Sequence, residues 1–350
     1  MSVGFQAVQW NRVKFVYDGI LLAAVAFYIA AFMGVEISLH PPKNQPEWID
    51  LRIRALGTCA FLMLTVILCI GPLSRLDRRF LPLLYNRRHF GVLMFLVAAL
   101  HALSMVQWFY VQAALPDLVA ELTDWTAYGK FIGFPYKTLG IAAFLILLLM
   151  AATSHDYWLN LLTPPLWKAL HMAIYVAYGL VVLHVALGAM QGNRHAWIPL
   201  MLASSLLIVA ALHLLAARRE RAADRGSDLD SEGWLAIGPP ASIPDKGAKI
   251  VAAPGGERIA VYRDGQMIGA LTNLCAHQNG PLGEGRIIDG LVTCPWHGYQ
   301  YRLAGGCAPP PFTERLATYR VRVKNGGVEV NPRPLPPGTP AAITLPPEQS

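Results

Sequence analysis

The chain has 350 residues, of which 54% are hydrophobic and only 15% charged, with a formal net charge of +7. A soluble globular protein does not carry that balance, so a membrane protein is expected. The basic residues gather beside apolar runs and form no stripe interleaved with aromatics, which argues against nucleic acid. Five cysteines, two of them inside an apolar run, argue against a disulfide scaffold.

Nothing at the N-terminus reads as a cleavable signal, because Asn11 to Tyr17 carry charge directly before the first apolar run. Trp10 and Arg12 read as interfacial anchors. A helix needs about 20 apolar residues to cross a bilayer. Six runs approach that length: about 17–36, 55–73, 90–112, 138–153, 166–190 and 197–217, the fourth being the shortest. Residues 1–217 are therefore expected to form a six-helix, all-α transmembrane bundle.

Lys and Arg near the ends set the orientation. One side collects Arg12, Lys14, Arg75, Arg78, Arg79, Arg87, Arg88, Lys168, Arg218, Arg219 and Arg221. The other collects Lys43, Arg52, Arg54, Lys130, Lys137 and Arg194. The richer side is expected to be cytoplasmic, with both termini there and the bundle set among membrane lipids. Between the third and fourth runs, residues 113–137 carry Trp125, Tyr128, Phe131, Phe134 and Tyr136, which suits the membrane interface.

Ionisable side chains inside apolar runs are costly and usually functional. His89 and His101 lie on the third run, twelve residues apart, and His171 and His184 on the fifth, thirteen apart. Thirteen residues span roughly 20 Å of helix, enough for two sites stacked across a membrane. Facing imidazoles in a helical bundle suit haem iron, whereas zinc wants more ligands closer together. The stretches around Arg87-Arg88-His89-Phe90-Gly91, His101, and Trp167-Lys168-Ala169-Leu170-His171 to His184 resemble the ferric reductase-like transmembrane domain. That superfamily includes ferric reductases, NADPH oxidases and the haem-binding membrane subunit of the bacterial methionine-sulfoxide repair system. The resemblance covers roughly 50–217 and looks closest to the last of these. It implies haem ligation by His101, His171 and His184, with two b-type haems. His89 departs from the usual spacing of fourteen and is the candidate second ligand of the inner haem. His213 and His155 are the fallbacks, and His195 reads as a loop residue.

Residues 218–233 mix charges of both signs and contain Gly226 and Ser227, which predicts a charged linker. From 234 to 332, short alternating runs predict a small all-β domain. Its strands are expected at 249–252, 258–263, 266–274, 290–293, 299–302, 319–324 and 327–330. The tail, 333–350, is rich in proline and is expected to be disordered.

Inside the β domain, Cys275-x-His277 is followed after sixteen residues by Cys294-x-x-His297. Two thiolates and two imidazoles suit either a tetrahedral zinc or an iron–sulfur cluster with two Cys on one iron and two His on the other. Each loop supplies one Cys and one His, so each can reach both irons. The run Cys294-Pro295-Trp296-His297-Gly298 resembles the Rieske family, which implies a [2Fe–2S] cluster on Cys275, His277, Cys294 and His297. Within it, the ferredoxin and oxygenase type is the match. Gly280 and Trp296 stand where the high-potential type carries an extra Cys pair, and Tyr299 stands where that type has a Ser. Fewer hydrogen bonds to sulfur imply a lower potential. Pro309-Pro310-Pro311 resembles the proline segment that covers such clusters. Cys307 lies outside the motif and reads as a packed thiol.

No glycine-rich dinucleotide fingerprint follows any predicted strand. A separate donor is therefore expected, a cytoplasmic NAD(P)H-dependent reductase or a ferredoxin, with an extracytoplasmic acceptor. The expected activity is transmembrane electron transfer. A haem-free tethered ferredoxin and a quinol-linked cytochrome b running inward are the alternatives. Glu284 and Asp289 are expected to dock against Arg87, Arg88, Lys168, Arg218 and Arg219.

Overall fold

A computed structural model describes residues 12–130, 133–154, 158, 162, 164–192, 197–224, 229–254, 256–277, 279–296 and 298–346. The described chain falls into two compact units, one of Arg12–Cys69 with Arg87–Leu212 and one of Ile70–Asn86 with His213–Ser350.

The helical region contains α1 (Arg12–Leu39), α2 (Gln45–Leu76), α3 (Leu81–Tyr85), α4 (Arg87–Val111), α5 (Leu115–Thr123), α6 (Lys137–Ala152), α7 (Pro164–Met172), α8 (Ile174–Gly192) and α9 (Trp197–Asp224). Among the described residues five helical stretches are long and apolar enough to cross a membrane: Lys14–Leu39, Gln45–Leu76, Arg87–Val111, Leu166–Gly188 and Trp197–Arg221. The fourth predicted run forms α6, a shorter apolar helix of 16 residues. The fifth is split by a tightened turn, in which the Ala173 N–H bonds to Leu170 O.

α2 is the most buried candidate span and α1 the least. Leu51 and Ala55, four apart, and Phe61 and Leu64, three apart, are almost fully enclosed. α6 packs against α8 and against α4.

α9 runs on to Asp224, through half of the expected linker. Arg218 to Asp224 is rich in Arg, Ala and Glu, which favour helix strongly enough to carry it past the last apolar turn. Leu229 already bridges to Leu235, and Asp230 and Glu232 pair with Arg322, so those residues belong to the β domain.

That domain comprises β1 (Leu235–Gly238), β2 (Gly247–Ala252), β3 (Arg258–Asp264), β4 (Met267–Thr272), β5 (Arg286–Ile288), β6 (Leu291–Thr293), β7 (Gln300–Arg302), β8 (Thr318–Lys324), β9 (Gly327–Leu335) and β10 (Ile343–Thr344). One sheet runs β1-β9-β8-β4-β3-β2 with β10 added to β4; a smaller one runs β5-β6-β7. A turn at Asp264-Gly265 joins β3 to β4, with Gly265 at φ +59°.

The tail departs from expectation. β9 reaches Leu335, and Ile343 and Thr344 pair with Ile268 and Met267. Leu345 is 2% exposed and joins the core of the larger sheet. Prolines bracket a short apolar run, and burying that run outweighs the low order that composition alone suggests.

Candidate redox sites

The two Cys/His loops of the β domain share one backbone turn. In the first, which leads from β4 to β5, Cys275 N–H donates to Gly280 O and Asn279 N–H donates to Cys275 O, at 2.9 and 2.7 Å. In the second, between β6 and β7, Cys294 N–H donates to Tyr299 O and Gly298 N–H to Cys294 O, at 2.8 and 2.9 Å. The residue four after each cysteine has positive φ: Asn279 at +56° and Gly298 at +69°. Both types tolerate that conformation.

The loops face each other. A Cβ on Gly280 would sit 2.9 Å from Cys294 Sγ, so only glycine permits the approach. Cys275 and Cys294 are 1% and 2% exposed and share a core with Tyr299 and Tyr301. His277 is half-buried, its ring stacked on Tyr299 at 4.9 Å and 10°. Tyr299 in turn meets Phe312, which follows the proline segment, at 4.9 Å. His297 lies outside the described residues.

Tyr301 stands against the first cysteine, a neighbour that the motif did not reveal. Its hydroxyl lies 3.3 Å from Cys275 Sγ and is fully buried. Burial, then the neighbouring Cys275 thiolate, push its pKa far above the tyrosine range, so it remains a proton donor. Buried thiols, an imidazole at the rim, a cradle that only glycine allows and a hydroxyl aimed at sulfur fit an iron–sulfur cluster.

Glu284 ends the short turn after the first loop and is 15% exposed at its side chain. The Arg75 guanidinium lies 3.5 Å from its carboxylate. Arg75 also holds Glu220 at 3.3 Å, and Glu220 meets Arg258 at 3.6 Å. One guanidinium thus serves two carboxylates. Burial dominates and raises Glu284 to about 7, against the pull of Arg75.

In the helical unit, His101 and His184 come together. Their ring centres are 6.5 Å apart at 83°. His101 Nδ1 donates to Ile53 O at 3.0 Å, and His184 Nδ1 to Tyr136 O at 2.9 Å. A carbonyl can only accept, so each Nδ1 carries the proton and each Nε2 keeps its lone pair. Glycine makes room for both rings, since a Cβ on Gly57 or on Gly140 would stand 2.9 Å from His101 or His184 respectively. The two rings line an apolar slot of about 350 Å³ bounded by α2, α4, α6 and α8. Two imidazoles on opposite sides of one metal, each at about 2.0–2.1 Å, place their ring centres roughly 6–6.5 Å apart. The observed spacing, the fixed tautomers and the apolar walls fit a bis-histidine haem.

The other two histidines are placed differently. His171 Nδ1 donates to Trp167 O at 3.0 Å, and its ring stacks on the Trp167 indole at 3.7 Å. Its Nε2 is buried with no hydrogen-bond partner among the described residues. His89 Nδ1 lies 2.7 Å from Asp18 Oδ2. His155 and His195 lie outside the described residues.

The ferric reductase-like transmembrane component profile matches residues 56–182, and the Rieske [2Fe-2S] domain profile matches 233–320. Over 208 residues the chain is 31% identical to the protein-methionine-sulfoxide reductase heme-binding subunit MsrQ of Bordetella pertussis, covering 59% of this chain and 90% of that one. The chain belongs to the ferric reductase-like transmembrane family and carries a Rieske domain. The MsrQ of Rhodospirillum rubrum is 29% identical over 205 residues, 58% of this chain and 88% of its own. The anthranilate 1,2-dioxygenase ferredoxin subunit of Burkholderia cepacia is 40% identical over 80 residues, 22% of this chain and 72% of its own. The protein is thus an integral membrane oxidoreductase with an electron-transfer role.

Proposed function

We propose that the chain carries electrons from a cytoplasmic donor, through a Rieske [2Fe–2S] cluster and two b-type haems, to an extracytoplasmic acceptor. The facing of His101 and His184 across an apolar slot carries this reading. Relatives named as heme-binding over the same stretch support it. When bound, haem and cluster supply one-electron carriers; the protein supplies spacing, insulation and fixed ligand orientation.

Cys275 and Cys294 hold one iron and His277 and His297 the other in this reading. Tyr301 donates to the Cys275 sulfur and favours the state with more charge on it. His101 and His184 hold one haem, each imidazole fixed by a backbone carbonyl. His171 and His89 hold the second, with Asp18 orienting His89. α6 supplies the sixth crossing, which puts both termini on the cytoplasmic side where Lys and Arg are concentrated. The donor is an NAD(P)H-dependent reductase or a ferredoxin.

An optical and EPR redox titration of the purified full chain, counting haems and clusters together, tests the proposal. A reduced b-type α-band in a two-to-one ratio with a Rieske EPR signal is expected. A protein without Soret absorbance overturns it.

A further inference from the structure

The slot between His101 and His184 is doubled in the sequence. Leu56-Gly57-x-x-Ala60-Phe61-Leu62-x-Leu64 returns as Leu139-Gly140-x-x-Ala143-Phe144-Leu145-x-Leu147, an offset of 83 residues. The same offset relates His101 to His184, and Ile53 to Tyr136, whose carbonyls accept from them. It relates Gly57 to Gly140, each beside its own histidine. It also relates two ring stacks that cross between the copies. Phe61 on α2 stacks on Tyr178 of α8 at 5.9 Å, and Phe144 on α6 stacks on Phe95 of α4 at 5.3 Å. Adding 83 to one member of each pair and subtracting it from the other turns one stack into its mate. Only an approximate twofold axis through the slot exchanges contacts in that way.

One further pair obeys the offset. Arg54 and Lys137 each follow the residue whose carbonyl holds a histidine, and both line the slot. Each is already steadied by acids. Arg54 meets Glu36 at 3.0 Å and Asp50 at 3.1 Å, and Lys137 meets Glu121 at 2.7 Å. A guanidinium has five N–H donors and an ammonium three, so each can serve a further anion while keeping these contacts.

We infer that Arg54 and Lys137 are paired anchors for the two carboxylates of the porphyrin held by His101 and His184. This inference rests on the bis-histidine reading of the slot. An axis that exchanges the two imidazoles lies in the plane of the ring between them. Protoporphyrin is itself nearly symmetric about the in-plane line that runs between its two propionates. When the two lines coincide, each cation takes one propionate. Charge-assisted bonds in a slot this apolar are strong.

The test uses the full chain purified haem-free in detergent and titrated with iron protoporphyrin IX and with its dimethyl ester, read at the Soret band. The native chain is expected to favour the free acid over the ester by roughly tenfold to a hundredfold per anchor. Arg54→Gln and Lys137→Gln each remove part of that preference, the double variant removes it, and Arg54→Lys restores most of it. An unchanged acid-to-ester preference in the double variant, with its cluster EPR signal intact, overturns the inference. Failure of the underlying reading is distinct: His101→Ala and His184→Ala would then titrate like the native chain with either compound.

Discussion

The β domain fixes its two Cys/His loops with main-chain hydrogen bonds that span four or five residues. The helical unit fixes its two facing histidines with bonds that span forty-eight. In the first case each loop is a self-contained turn, and Asn279 and Gly298 supply the positive φ that closes it. In the second no local feature holds the ring. A carbonyl on another helix, or just before one, does so, and Gly57 or Gly140 must stand aside. A loop site can therefore survive the loss of the bundle site, and the reverse also holds if the two regions fold independently.

The largest effects should come from removing ligands one region at a time. His101→Ala or His184→Ala is expected to abolish one haem's Soret contribution and leave the Rieske EPR signal at native intensity. Cys294→Ala should do the opposite. Loss of both signals from either variant would break the comparison.

Next comes a glycine test of local rigidity. A Cβ on Gly285 would lie 2.1 Å from Thr293 O, a backbone atom that cannot swing away. Gly285→Ala should cost about 3 kcal/mol or more and remove the cluster signal, as overpacking against main chain does. Gly140→Ala meets the His184 ring first, so it should shift the Soret spectrum and lower haem occupancy while the cluster signal stays.

A smaller effect concerns Glu284. Its folded pKa of about 7 lies above the ordinary 4.5, so the folded chain holds this proton more tightly than the unfolded one. Between those values the folded state binds more protons, and stability falls as pH rises, levelling off above about 7. Glu284→Gln, neutral throughout, should flatten that slope and gain on the native chain by roughly 1–3 kcal/mol above pH 7. Thermal unfolding followed by cluster absorbance from pH 5 to 8 measures it; an unchanged slope would mean that Glu284 does not titrate there.

The finest adjustment is Tyr301→Phe. Added electron density strengthens a hydrogen bond to sulfur, so losing the hydroxyl should lower the cluster potential by tens of millivolts, about 59 mV for each 1.4 kcal/mol. Haem potentials should not move.

The same contrast governs what could be read from the chain. The Cys-x-His and Cys-x-x-His loops were legible because ligands and turn residues sit within a few positions of one another. Tyr301 was hidden because its role depends on a strand that folds back over Cys275. In the helices, the histidines stood out as ionisable groups in apolar runs, and those of the third run could be set against those of the fifth, but which meets which was open. The spacing of thirteen already stacked two sites between the third and fifth runs, and the fold joins His101 on α4 to His184 on α8. The repeat that explains this pairing was disguised by the exchanges of Arg for Lys and Ile for Tyr. β1, β5 and β10, two to four residues long, escaped, whereas β6 and β7, equally short, were marked by the Cys294 loop between them.

β10 has one more consequence. β8 pairs with β4 only at Ala270 and Leu271, and β10 covers Met267 and Ile268. Without that short strand, the first half of β4 would present open main-chain donors and acceptors beside apolar side chains, the arrangement through which one molecule recruits another. The terminal segment thus acts as a guard against self-association, and a chain cut before Ile343 should keep its metal loops yet sediment as aggregates.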